Sequence, residues 1–194
     1  ENRSRQWQAA TEVSQVITSI LDVEQMIWQV VELVQERFDL YHVGLMLLDA
    51  AGEWAEYRAG SGQSGRRLWE EGFRLEVGGS SMVGWCTAHA QARVAQDVRA
   101  DPIHAHHDLV PRTRSEAALP LMIGGKILGA LSVQSDRAGA FDASTVAVLQ
   151  TMADQVAVAL DNARLFGESQ QALEATRRAY AQLSRQAWTE LLSA

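Results

Sequence analysis

Three of the chain's five histidines, His104, His106 and His107, fall within four positions of the stretch "DPIHAHHD" (101–108), bracketed by Asp101 and Asp108. Imidazole and carboxylate are donors for zinc and related ions, but such a centre needs three or four of them converging on one point. In an extended chain His104 and His106 point to opposite sides, and on a helical turn only His104 and His107 share a face. The spacing leaves one pair, His104 and His107, with Asp101 or Asp108 beside it. No metal ligand is therefore assigned, and the octapeptide is read as a solvated cover over a neighbouring face. An ordinary imidazole titrates near ~6.5, so the same residues are candidates for a pH response.

The other reactive group is Cys86, the one cysteine of the chain. It lies in "SSMVGWCTAHAQ" (80–91), a Ser-capped helical stripe with Met82 and Trp85, where a thiol is expected to be buried and inert. One thiol excludes an internal disulfide and a cysteine-rich zinc site, and it fits a reducing cytoplasm. The neighbouring "GGSSMVG" (78–84) lacks the lysine and spacing of a phosphate loop, and a capped helix start explains it. Arg114 and Glu116, two apart in "TRSEAALP", are expected on one side of a strand start, as an ion pair or as ligand contacts. Met46, Trp85 and Met122 are candidates to line a cleft, with core packing as the alternative for each.

These groups need elements to hold them. Apolar residues at Trp7, Ala10, Val13, Val16, Ile17 and Ile20 predict a first helix, and Met26, Ile27, Val30, Val31 and Val34 a second, with a joint near Leu21-Asp22. Asp22 and Gln25 have the spacing of a capping box. "YHVGLMLLD" (41–49) reads as a central strand covered on both faces, returning through "AAGE" into "WAEYRAGS" (54–61). "GFRLEV" (72–77) and "RVAQDV" (93–98) are short strands. "SEAALPLMI" (115–123) and "KILGALSVQS" (126–135) form a hairpin about Gly124-Gly125. From "FDAST" (141–145), with Asp142 as N-cap, a helix is expected through Val146, Leu149, Met152, Val156 and Leu160 to the C-terminal residues, with Gly167 as its weak point. Beyond Phe166 the seven-residue steps Phe166, Leu173, Tyr180, Ala187 suggest an imperfect coiled-coil seam.

The chain has 194 residues, 47% of them apolar and 21% charged, enough for one cored domain plus extra helix. A net charge of −7 argues against a nucleic-acid binder, which needs a basic face to neutralise phosphates. No apolar run reaches the ~20 residues of a membrane span. A start at Glu1 rather than Met fits a piece of a longer protein.

The order of elements, and above all "SEAALPLMIGGKILGALSVQS" and "LQTMADQVAVALDNARLF", resembles the GAF domain over roughly residues 8–166. The resemblance implies an α+β fold: an antiparallel sheet of about six strands, the N- and C-terminal helices packed on one face, and a small-molecule cleft on the other. It implies a sensory module of bacterial multidomain signalling proteins. The expected organisation is an N-terminal helix or linker (1–21), the domain itself (22–166) and a helical linker (167–194). The expected partners are a second copy, met through the terminal helices, and a small-molecule ligand touching Met46, Trp85, Cys86, His104, His107, Arg114, Glu116 and Met122. The residues select no cofactor. GAF domains that carry a bilin use a cysteine in the region of the histidine loop, which has none here, and haem would need one of His89, His104, His106 or His107. The cyclic-nucleotide signature Asn-Lys-Phe-Asp-Glu is matched only by Arg137 and Phe141 in "SDRAGAFDAST" (135–145). GAF proteins that reduce free methionine sulfoxide use several cysteines, where this chain has Cys86 alone. A non-enzymatic regulatory domain is therefore the expectation.

Overall fold

The computed structural model describes residues 23–104 and 106–193. The expected first helix, the joint at Leu21-Asp22 and its capping box lie outside those residues. Ten elements follow: α1 (Val23–Phe38), β1 (His42–Leu48), β2 (Trp54–Gly60), α2 (Gly62–Glu70), β3 (Arg74–Glu76), α3 (Met82–His89), β4 (Arg93–Ala95), β5 (Ser115–Ile123), β6 (Lys126–Ser135) and α4 (Ala143–Ser193). The six strands form one antiparallel sheet in the order β3-β2-β1-β6-β5-β4. The helix α2 was not foreseen. Its sequence GQSGRRLWE is polar, with only Gly65 and Leu68 buried, so it shows little apolar period.

The alternation of side chains along the central strands divides the core in two. Val43 and Leu45 of β1, Leu131 and Val133 of β6, and Ala117 and Leu119 of β5 point to one face, all fully buried. That face is covered by α1, through Met26, Ile27, Val30, Val31 and Val34, and by the start of α4, through Leu149, Met152, Ala153, Val156 and Ala157. Gln150 Nε2 donates to the Pro120 carbonyl at 3.0 Å and ties α4 to β5. On the opposite face Met46, Tyr57, Ala118 and Ala130 meet Leu68 of α2 and Met82, Val83 and Cys86 of α3 in a second apolar cluster. A continuous apolar run such as β1 is what a strand buried on both sides requires.

The ends of elements follow their local chemistry. Ser81 accepts from the Gly84 amide at 2.9 Å and caps α3. Asp142 accepts from the Thr145 amide at 2.7 Å and caps α4; these hydrogen bonds hold its carboxyl below the usual carboxylate range. Gly124 and Gly125 both take positive φ (55° and 81°), as the tight β5–β6 turn demands. The helix α4 runs through Gly167 without a break.

The chain divides into two compact units between Ala159 and Leu160, so α4 contributes to both. In the second unit Arg164 pairs with Asp161 and Glu168, and Arg178 with Glu174, at helical spacing. Leu165, Phe166, Leu173 and Tyr180 are exposed there. By length and composition Ala143–Arg178 contains one window apolar enough to cross a membrane. The first part of that apolar surface is what covers the sheet.

Candidate functional site

The face opposite α1 and α4 carries something an ordinary core does not, which is a row of buried polar side chains across the three central strands. His42 on β1 lies opposite Gln134 on β6, and Gln134 lies opposite Glu116 on β5. One step along, Ser132 sits between Gly44 and Ala118. His42, Glu116 and Ser132 are each buried. Burying such groups is costly unless they are paired, and here they are. Glu116 accepts from His104 Nδ1 at 2.7 Å through one oxygen and from the Ser132 hydroxyl at 2.9 Å through the other. Thr113 donates its hydroxyl to Gln134 Oε1 at 2.7 Å. His42 Nε2 and the Tyr57 hydroxyl lie 2.9 Å apart.

Tyr57 reaches this row because β1 and β2 leave it room. Its ring lies across Gly44 and Gly60, and a methyl group at position 60 would stand 2.6 Å from its Cζ. Burial lowers the His42 imidazole to about 4, against a smaller upward pull from a hydrogen bond to the Ser61 backbone, so the ring is neutral at pH 7. Burial also raises the Tyr57 phenol, which stays protonated.

These groups line a cavity of about 50 Å³, closed on its other sides by Met46, Phe73, Met82 and His107 among others. That is room for a water or a few atoms, whereas pockets for drug-sized ligands run to roughly 300–1,000 Å³. A nucleotide or tetrapyrrole does not fit with the cover in place. The cover is the connection 101–113. His107 packs edge-on against Phe73 with ring centroids 4.8 Å apart, and its Nδ1 accepts from the Leu109 amide. Asp101 binds the Arg93 guanidinium through both oxygens at 3.1 Å and accepts from the Ile103 amide. His106 is exposed and lies 3.8 Å from Asp108.

Of the residues singled out from the sequence, Met46, His107 and Glu116 line the cavity. His104 reaches it only through Glu116. Arg114 and Glu116 do not pair with each other. Arg114 binds Asp97 at 3.1 Å while Glu116 turns inward to His104. Trp85 stands on the flank of α3, stacked on His89 at 4.2 Å under the Arg93 guanidinium, and does not line the cavity. Cys86 lies in the apolar cluster beneath α3, and burial pushes its thiol up to about 12. Met122 lies near the far end of β5, six residues beyond Glu116, and does not line the cavity. The histidine octapeptide is more than a solvated cover, since the half-buried His104 anchors it to Glu116. Among the described residues no three His, Cys, Asp or Glu side chains converge as metal ligands. His42, Tyr57, Ser132 and Gln134 were not singled out from the sequence. Their signal was polar residues at alternate positions of otherwise apolar strands.

Replacing Glu116 with alanine removes the acceptor of both His104 and Ser132. We expect a loss of about 2 kcal/mol in urea unfolding and faster amide exchange in residues 101–113, since hydrogen bonds to a charged group are among the stronger ones. Unchanged exchange in that segment would separate the cover from Glu116.

A family model described as "GAF domain" matches residues 20–161. The chain belongs to the GAF domain family. Among solved structures, the GAF domain of a phosphoenolpyruvate-protein phosphotransferase from Coxiella burnetii superposes with a TM-score of 0.78 at 19% identity, covering 87% of this chain and 99% of that one. The free methionine-R-sulfoxide reductase from Neisseria meningitidis, in complex with its substrate, gives 0.72 at 20% identity, covering 82% and 90%. A GAF domain from A. aeolicus in an inactive state gives 0.71 at 10%, covering 83% and 98%. At these identities the likeness is one of fold. Comparison with curated proteins finds no match. The six-stranded sheet with terminal helices on one face is thus the α+β GAF architecture expected from the sequence. The polar row lies on the face that the terminal helices leave to α2, α3 and the 101–113 connection.

Proposed function

We propose that this chain is a regulatory GAF module, not an enzyme, acting in the cytoplasm. In this reading it senses a small molecule at the cavity beneath residues 101–113, dimerises through its terminal helices, and relays occupancy along α4 to an output module. The observation that carries the reading is the polar row of buried His42, half-buried Gln134 and buried Glu116 under a cover held by His104. A core with no ligand role is better filled by apolar side chains, and a polar row facing a cavity supplies oriented donors and acceptors. A ligand would act by binding the open and closed arrangements of the cover unequally.

Pairing is supported by the exposed Leu165, Phe166, Leu173 and Tyr180 of α4, since an apolar stripe of this length gains by burial against a second helix. Sedimentation of the purified chain should give a dimer, and Leu173→Glu should shift it towards monomer. A chain that remains monomeric at high micromolar concentration would remove the relay. Native mass spectrometry of the same sample reads any bound small molecule together with the oligomer.

Redox chemistry at the Cys86 thiol is the second reading, and the site does not favour it. The one cysteine is fully buried, its thiol is raised to about 12, and it has no resolving partner.

A further inference from the structure

Separate from the cavity, with no lining residue in common, lies a second concavity of about 630 Å³ lined by Val98, Arg99, His104, His106, Pro111, Arg112, Thr113 and Arg114. The geometry points to a binding site for a phosphate-bearing small molecule, with Arg99, Arg112 and Arg114 as its charge partners.

The argument begins with composition. The chain has 24 acidic and 17 basic residues, yet these eight lining residues include three arginines, two histidines and no acid. A concave, single-signed patch on an otherwise negative protein focuses attraction for anions. Two of the guanidiniums are available for a ligand. Among the described residues Arg99 makes no ion pair, and Arg112 is held only over the Tyr41 ring at 4.6 Å from its centroid. The third, Arg114, is fixed by Asp97 at 3.1 Å, while its enclosed Nε–H has no acceptor. A buried donor without an acceptor is costly, and a bound anion brings the missing negative charge beside it. Among the acids near the groove, Asp97 lies beside Arg114, at 3.1 Å, and beside Arg99, Glu116 is bonded to His104, and Asp108 lies 3.8 Å from His106.

The chemistry selects phosphate. Guanidinium forks bind phosphoryl and carboxylate oxygens in pairs, and several around one concavity suit a multiply charged group. The volume lies in the range of small-ligand pockets, unlike the inner cavity. The backbone that presents the arginines is anchored, with the Val98 amide donating to the Arg114 carbonyl at 2.9 Å and the Arg114 amide to the Ser135 carbonyl at 2.7 Å. His104 lines this groove and bonds Glu116 of the inner cavity, so an anion bound here is felt at the cover.

The test is calorimetric titration of the full chain with inorganic pyrophosphate, alongside sodium sulfate at matched ionic strength, with histidine ring resonances followed by NMR. Saturable pyrophosphate binding is expected, stronger than sulfate, with the His104 resonance moving. Arg99→Gln and Arg112→Gln are exposed changes that leave the fold intact by circular dichroism, and each should weaken binding by roughly tenfold. Arg66→Gln, on α2, should not. Adenosine monophosphate should bind where adenosine does not. No saturation by about 10 mM pyrophosphate, equal weakening by Arg66→Gln, or binding confined to a long polyanion such as heparin would each overturn the assignment.

Discussion

Gly129→Ala is expected to destabilise the fold by about 4 kcal/mol, a large effect for one methyl group. Gly129 sits on β6 opposite Leu47 of β1, at the centre of the sheet. A Cβ there falls well inside the van der Waals contact distance to the Met46 carbonyl oxygen and 2.8 Å from the Leu47 Cα. Both obstacles are backbone, so no side-chain rotation relieves them, and the two central strands have to part. The internal control is Gly167→Ala, in the middle of α4 with open space around the new methyl group. There the same chemical change should stabilise the helix by about 1 kcal/mol. Urea unfolding of both variants reads the contrast, and a Gly129→Ala loss below about 1 kcal/mol would contradict the strand geometry.

Acidification should unfold the domain partly through His42. Burial holds its imidazole near about 4 in the fold, while an unfolded chain gives the ordinary value of ~6.5. Between those two pH values the unfolded chain binds a proton that the folded chain refuses. Stability from this residue is therefore complete above about 6.5 and is lost as pH falls towards about 4, by roughly 3 kcal/mol in all. Carboxylates titrate in the lower part of that window, so the diagnostic is a difference. His42→Gln should abolish the slope between about 6.5 and 5 that the native chain shows. Equal slopes in the two proteins would mean that His42 is not held neutral.

Much of the fold was legible because its central elements have strong local signals. The β5–β6 hairpin has two glycines between apolar runs, β1 is apolar from Val43 to Leu48, and Asp142 marks the start of α4. The helix α2 was not legible, because two inward residues in nine make no periodic pattern. The site was legible only in pieces. Glu116 and His107 drew attention as residue types, but the polar row is a product of register. His42, Gln134 and Glu116 come from three strands and become neighbours only when β1, β6 and β5 pair. The same holds for His104, whose partner lies twelve positions on in the chain. Its spacing from the other histidines left it in a solvated cover with no assigned partner, whereas its contact is with a carboxylate that no local pattern links to it.

The placement of Tyr57 over Gly44 and Gly60 has an evolutionary consequence. The phenol occupies the volume that side chains at the other two positions would need, so the three loci cannot drift independently. A lineage that gains a methyl group at 60 must first shrink residue 57, and in doing so strips His42 of its hydroxyl neighbour. Substitutions there should be inherited as a set, and a tyrosine at 57 beside a bulky residue at 60 should be a combination that selection removes.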